Sequence, residues 1–198
     1  KKAREAREAR EARVGRDASA TRAAVMVRAI ETPETNRPLE TPVKIRNTTF
    51  QYMKGSVVNF GKEFSGVTPD KMAIVNAANI YGTGGGAVDE AIGKAGGDNL
   101  RLDRFALEII QRPDKRIRVG SAVITGKDAE VTEYGNLHVN NVIHAVGPNF
   151  YITDSSNPAY GTLDHLRSAY RVSLQLCIAN EITHVGFCPL SAGVFRGG

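Results

Sequence analysis

Residues 72–96 read MAIVNAANIYGTGGGAVDEAIGKAG, a run that brings two asparagines, a glycine cluster and an acid close together. A side-chain amide donates and accepts at once, so Asn76 and Asn79 can cap the turn at a strand end or hold a polar ligand. Gly82, Gly84, Gly85 and Gly86 leave the backbone bare just before a helix that starts near Ala87 or Val88. Bare backbone lets a ligand approach closely, and the free N–H groups of a helix start favour an anion such as a diphosphate. On glycines alone, a tight strand-to-helix turn explains the loop equally well. Asp89 falls in the first helical turn, where the helix dipole favours an acid without any catalytic role. A second loop of small residues, Ser191-Ala192-Gly193-Val194-Phe195, follows another apolar strand. Two such loops at one sheet edge could grip a diphosphate from both sides.

Other chemistries fit less well. Gly82–Ala87 matches the weak G-x-G-x-x-[GA] pattern, but the acid that a dinucleotide unit needs ~20 residues on falls in the helical segment LRLDRF. A Walker loop needs Gly-Lys-[Ser/Thr] after its glycines, and this one continues Ala-Val-Asp. The four histidines are scattered, with no HExxH or CxxC near them, so no metal is expected. His144 reads as a strand histidine with a structural partner. Cys177 and Cys188 read as buried small hydrophobes.

The elements that must position these residues alternate. VKIRNTTFQYM and SVVNF read as strands around a Lys54-Gly55 turn, and MAIVNA as a short strand buried on both faces. VDEAIGKAGG reads as a helix ending in glycines. NLRLDRFALEII carries helical spacing through Leu102, Phe105, Ala106, Ile109 and Ile110. GSAVIT, NNVIHAV and THVGFCPL are further strands. The longest amphipathic helix is GTLDHLRSAYRVSLQLCIAN, with Leu163, Leu166, Ala169, Tyr170, Leu174 and Cys177 on one face. This alternation predicts a three-layer α/β/α fold with a mixed, largely parallel central sheet, and ligand sites on such sheets form where strand ends meet helix starts.

The 198 residues suffice for one domain and an appendage. Residues 1–28 hold nine Lys/Arg against four acids, which accounts for the whole net charge of +5. They form a charged arm that is helical by composition but has no apolar stripe to bury. The Pro/Thr-rich residues 29–42 read as a linker, and the folded domain is expected over 43–198. Since the remainder is charge-neutral, nucleic acid is not the expected partner of the domain. The longest apolar runs fall short of the ~20 residues of a membrane span. Cytoplasmic or nuclear placement is the default expectation.

IVNAAN, GGGAVDEAI, VIHAVGP and the closing SAGVF, in this order and spacing, resemble the macro domain family over residues ~45–198. Members of that family bind ADP-ribose, and in some branches they remove it from proteins. The resemblance implies that Asn79 reaches the distal ribose and that Asn76 holds the loop backbone. By the same resemblance Gly84, Gly85, Gly86, Ala87 and Val88 line the diphosphate on one side. Ser191, Ala192, Gly193, Val194 and Phe195 line it on the other, with Phe195 beside the distal ribose. Asp89, ten residues after Asn79, resembles the carboxylate of the hydrolytic MacroD-type branch, which orients or deprotonates a water or acts on the ribose hydroxyls. The implied function is removal of mono-ADP-ribose from modified proteins, with ADP-ribose as ligand and without metal or redox cofactor. The alternative is a module that only reads ADP-ribose, and a third possibility makes the arm the active part of a scaffold.

The sequence also departs from the family pattern. Phe60-Gly61-Lys62-Glu63 stands where a Gly-Asp pair is usual, so Glu63 substitutes or adenine is selected differently. Gly93 stands where the hydrolytic branch commonly has a histidine, and Arg196 where a glycine is usual. The family pattern continues past SAGVF with a helix and a strand, so part of the pocket is expected beyond residue 198.

Overall fold

The computed structural model describes residues 24–27, 37–38, 40–107, 114, 116–126 and 133–197. The arm over 1–23 and the segments 28–36 and 108–113 lie outside the described residues. Among the described residues eight strands form one sheet: β1 (Ala24–Val27), β2 (Arg37–Pro38), β3 (Val43–Ile45), β4 (Thr48–Lys54), β5 (Met72–Ala77), β6 (Ala122–Thr125), β7 (Asn141–Ala145) and β8 (His184–Phe187). Their order is β2-β4-β1-β8-β5-β7-β6, with β3 also on β4. β1, β4, β5, β7 and β8 pair in parallel, while β6 runs antiparallel to β7.

Position in the sheet explains the apolar run of β5. Flanked by β8 and β7, it buries both faces. Ala73 and Val75 pack on one side with Ile143, Ala145, Val185 and Phe187, under α2 (Leu163–Ala179) through Ala169 and Cys177. Met72 and Ile74 pack on the other with Val142, Phe60 and Tyr134, under Ile92 and Leu100 of α1 (Ala87–Ala106). Helix, sheet and helix thus make the three layers. Parallel pairing also brings the C-terminal ends of β5, β7 and β8 to one edge, from which the loops after Ala77, Ala145 and Phe187 all leave.

Several sequence expectations change. AVMV, placed in the arm, is strand β1 between β4 and β8, because four successive apolar residues suit a central parallel strand. VKIRNTTFQYM is a hairpin of β3 and β4 with Arg46 at φ 55° in its turn. In place of a second strand, Val57–Asn59 form a 3₁₀ turn started by Ser56, whose hydroxyl accepts from Val58 N–H. VDEAIGKAGG and NLRLDRF join in α1, broken at Gly97, whose φ of 65° and ψ of −156° only glycine adopts readily. The face expected from NLRLDRF is the wrong one. Leu102 and Phe105 are 57% and 51% exposed, whereas Leu100 and Arg104 point inward. The error arises because a buried cation reads as a surface residue. On α2, Ala169 and Cys177 are buried as expected, but Leu163 is exposed.

Candidate functional site

The chain leaves β5 through Asn76 and Ala77 and turns at once. The Asn79 side chain closes this turn, its Oδ1 accepting from Tyr81 N–H at 2.9 Å and its Nδ2 donating to the Gly84 carbonyl. Asn79 therefore acts within the loop in this conformation, as an Asx-type cap. Gly85, at φ 142°, passes so close that a Cβ there would lie 3.0 Å from Asn79 Nδ2. Gly84 and Gly86 face open space instead. Gly86 is extended and precedes α1 without a side-chain cap, so the first-turn N–H groups are offered to whatever lies in front of them. Ala87 is exposed. The Val88 side chain packs into both core clusters, which leaves its N–H as the group available to a ligand.

Behind this loop lies a buried polar chain. Asp89 is 2% exposed, its Oδ1 taking Asn76 Nδ2 at 2.9 Å and Arg104 Nη1 at 2.9 Å. Its Oδ2 takes Arg104 Nη2 at 3.3 Å. Arg104 also donates Nε–H to the Gly82 carbonyl at 2.7 Å. Asn76 Nδ2 reaches His144 Nδ1 at 3.2 Å, and His144 Nε2 meets Thr125 Oγ1 at 3.1 Å. An amide nitrogen can only donate, so Nδ1 accepts and the ring proton sits on Nε2. Burial, aided by the Arg104 charge, lowers the His144 pKa to about 3. His144 is thus a neutral structural partner, and Asn76 holds the carboxylate rather than the loop backbone. Asn76 Oδ1 is buried without a partner.

A cleft of about 760 Å³ opens over this chain. Thr83, Gly84, Gly85 and Asp89 form one wall, and both halves of α1 form the rest through Gly93, Lys94, Arg101, Arg104 and Phe105. The second loop leaves the same sheet edge but does not line this cleft. It is tied to the loop after β7, with Ser191 Oγ donating to the Pro148 carbonyl at 2.7 Å and Phe150 N–H to the Phe195 carbonyl at 3.0 Å. Ala192, Gly193 and Val194 are exposed, Val194 by 71%, and Phe195 is half-buried. The structure therefore gathers Asn76, Asn79, Gly84, Gly85 and Asp89, and leaves Ser191–Phe195 as a separate rim.

Arg104 and Thr125 escaped the sequence reading. Fifteen residues and the break at Gly97 separate Arg104 from Asp89, so no single helical period links the two. The thiols of Cys177 and Cys188 are buried, and burial pushes each up to about 12, so neither is a nucleophile of this site.

A macro domain family model matches residues 75–197, more than half of the chain. The chain belongs to the macro domain family. This macro domain is 37% identical over 127 residues to a macro domain-containing protein of Mesorhizobium japonicum, covering 64% of this chain and 61% of that one. It is 36% identical over 126 residues to an O-acetyl-ADP-ribose deacetylase of Cronobacter turicensis, covering 64% and 63%. The chain thus spans about six-tenths of the length of the curated relatives it matches. In structure it resembles the Oceanobacillus iheyensis macrodomain solved with ADP, with a TM-score of 0.61 at 23% identity over 82% of this chain and 73% of that one. At that identity the likeness concerns the fold.

Proposed function

We propose that this macro domain binds ADP-ribose and hydrolyses mono-ADP-ribose from modified acidic side chains. The observation that carries the reading is the uncapped start of α1 behind Gly84–Gly86, with Asp89 in its first turn and a cleft alongside that Gly84, Gly85 and Asp89 help to line. Backbone N–H groups and the helix dipole together suit a pyrophosphate, and a carboxylate beside them suits bond cleavage at the adjoining sugar. Relatives named as O-acetyl-ADP-ribose deacetylases support an ester of ADP-ribose as the substrate class.

In the reaction, water attacks the anomeric carbon of the distal ribose. The bond from that carbon to the modified side chain's oxygen breaks, and the side chain leaves as a carboxylate. Asp89 takes the proton from the attacking water. A carboxylate offers about four acceptor sites, and Asn76 and Arg104 occupy three. The fourth, on Oδ2, is the one a water can use. Asn79 must release Gly84 and Tyr81 to reach a ribose hydroxyl.

A second reading has its own observation. Asp89 is 2% exposed and already bonded on both oxygens, as suits a module that binds ADP-ribose without turning it over. Calorimetry with ADP-ribose, paired with release assays on a mono-ADP-ribosylated acidic substrate and on O-acetyl-ADP-ribose, separates the two. Hydrolysis as proposed predicts release of ADP-ribose from the acidic substrate, with loss of about 100-fold or more in Asp89→Asn, whereas release of acetate from O-acetyl-ADP-ribose alone refutes the step at the anomeric carbon. Tight binding with no release from either substrate refutes hydrolysis and leaves the binding module.

A further inference from the structure

Arg104 is 7% exposed and engages all three of its guanidinium nitrogens. Nη1 and Nη2 grip the two oxygens of Asp89 at 2.9 and 3.3 Å, while Nε holds the Gly82 carbonyl at 2.7 Å. One side chain from the second half of α1 therefore ties the acid of the first half to the start of the glycine loop. The break at Gly97 redirects the helix and makes this reach possible, and the guanidinium comes to rest beside Gly93, where a Cβ would sit in ordinary contact 3.9 Å from Arg104 Nη1. The guanidinium thus passes over the position where the sequence departs from the hydrolytic branch.

We propose that Arg104 is a positioning residue for the hydrolysis proposed above, and the inference rests on that reading. It fixes the plane of the Asp89 carboxylate and leaves one acceptor site on Oδ2, so a water bound there has a single seat. Through Gly82 it also sets that seat relative to the N–H groups of the loop. A lysine would keep the charge but not the fork, and it cannot hold two carboxylate oxygens and a carbonyl in one plane.

Arg104→Ala removes the cation from a buried acid and is prone to unfold, so the informative variant is Arg104→Lys, checked by thermal melting. Its kcat on the best conjugate, its KM and its ADP-ribose affinity by calorimetry are compared with wild type, alone and in an Asp89→Asn background. Positioning predicts affinity within about threefold of wild type and kcat lower by about 10- to 100-fold. It also predicts that Arg104→Lys adds little further loss once Asp89 is asparagine. A folded Arg104→Lys with kcat within about twofold of wild type, or an equal loss with and without Asp89, overturns the inference while leaving hydrolysis intact. A wild-type protein that binds ADP-ribose without turnover is a failure of the hydrolytic reading itself, and the positioning role falls with it.

Discussion

Asp89→Ala should destabilise the macro domain before it reports on catalysis. The substitution leaves Arg104 with two unpaired N–H edges in a site where its side chain is 9% exposed. Removing one partner of a buried ion pair costs about 3–5 kcal/mol. Loss of the Asn76 Nδ2 acceptor adds about 1 kcal/mol. Water entering from the cleft relieves part of this, which gives a net cost of about 3–4 kcal/mol. At ~2–4 °C per kcal/mol for a chain of this size, Tm should fall by about 10 °C. Asp89→Asn keeps an acceptor oxygen and should lose about half as much. The double variant Asp89→Leu/Arg104→Met removes both charges and should lie closer to wild type than Asp89→Ala does. Differential scanning calorimetry and urea titration of these proteins, with the single variants Asp89→Leu and Arg104→Met completing the cycle, measure the coupling directly. An Asp89→Ala protein within about 1 kcal/mol of wild type, or a coupling near zero, would refute a formed and buried pair. Activity comparisons accordingly need Asp89→Asn.

His144 makes stability pH-dependent. The unfolded histidine takes a proton below ~6.5, whereas the folded one stays neutral down to about 3, so the unfolded state binds more protons between these values. Its contribution is present above ~6.5 and is lost as pH falls, by about 2 kcal/mol at pH 5. Urea midpoints between pH 7 and pH 5 should show this slope, flattened in His144→Gln; an equal slope in that variant rules out His144 as its source. Gly186 of β8 has room for nothing more, since a Cβ there would lie 2.7 Å from the Phe60 ring. Gly186→Ala should cost about 1–3 kcal/mol, partly recovered by adding Phe60→Leu, and an unchanged denaturation midpoint would contradict the packing.

What was legible in the chain was whatever lies close along it. MAIVNA had the length and composition of a strand buried on both faces, and the glycines after it marked both the turn and the start of α1. The break at Gly97 followed from the paired glycines. SVVNF failed because apolar residues alone do not separate a strand from a 3₁₀ turn, which the Ser56 cap decides. AVMV failed because charged neighbours hid four apolar residues whose strand partners, β4 and β8, lie far along the chain.

The sequence by itself determined the three layers, the sheet edge at which both small-residue loops emerge, and the family, because periodicity and motif spacing are local properties. Only the tertiary structure decided that Arg104 turns inward onto Asp89, that Asn76 and His144 complete the chain behind it, and that the cleft takes its walls from the first loop and both halves of α1. A charge is stable out of water only when its partner is in place, and here the break at Gly97 and the packing of α1 on the sheet bring that partner from fifteen residues away.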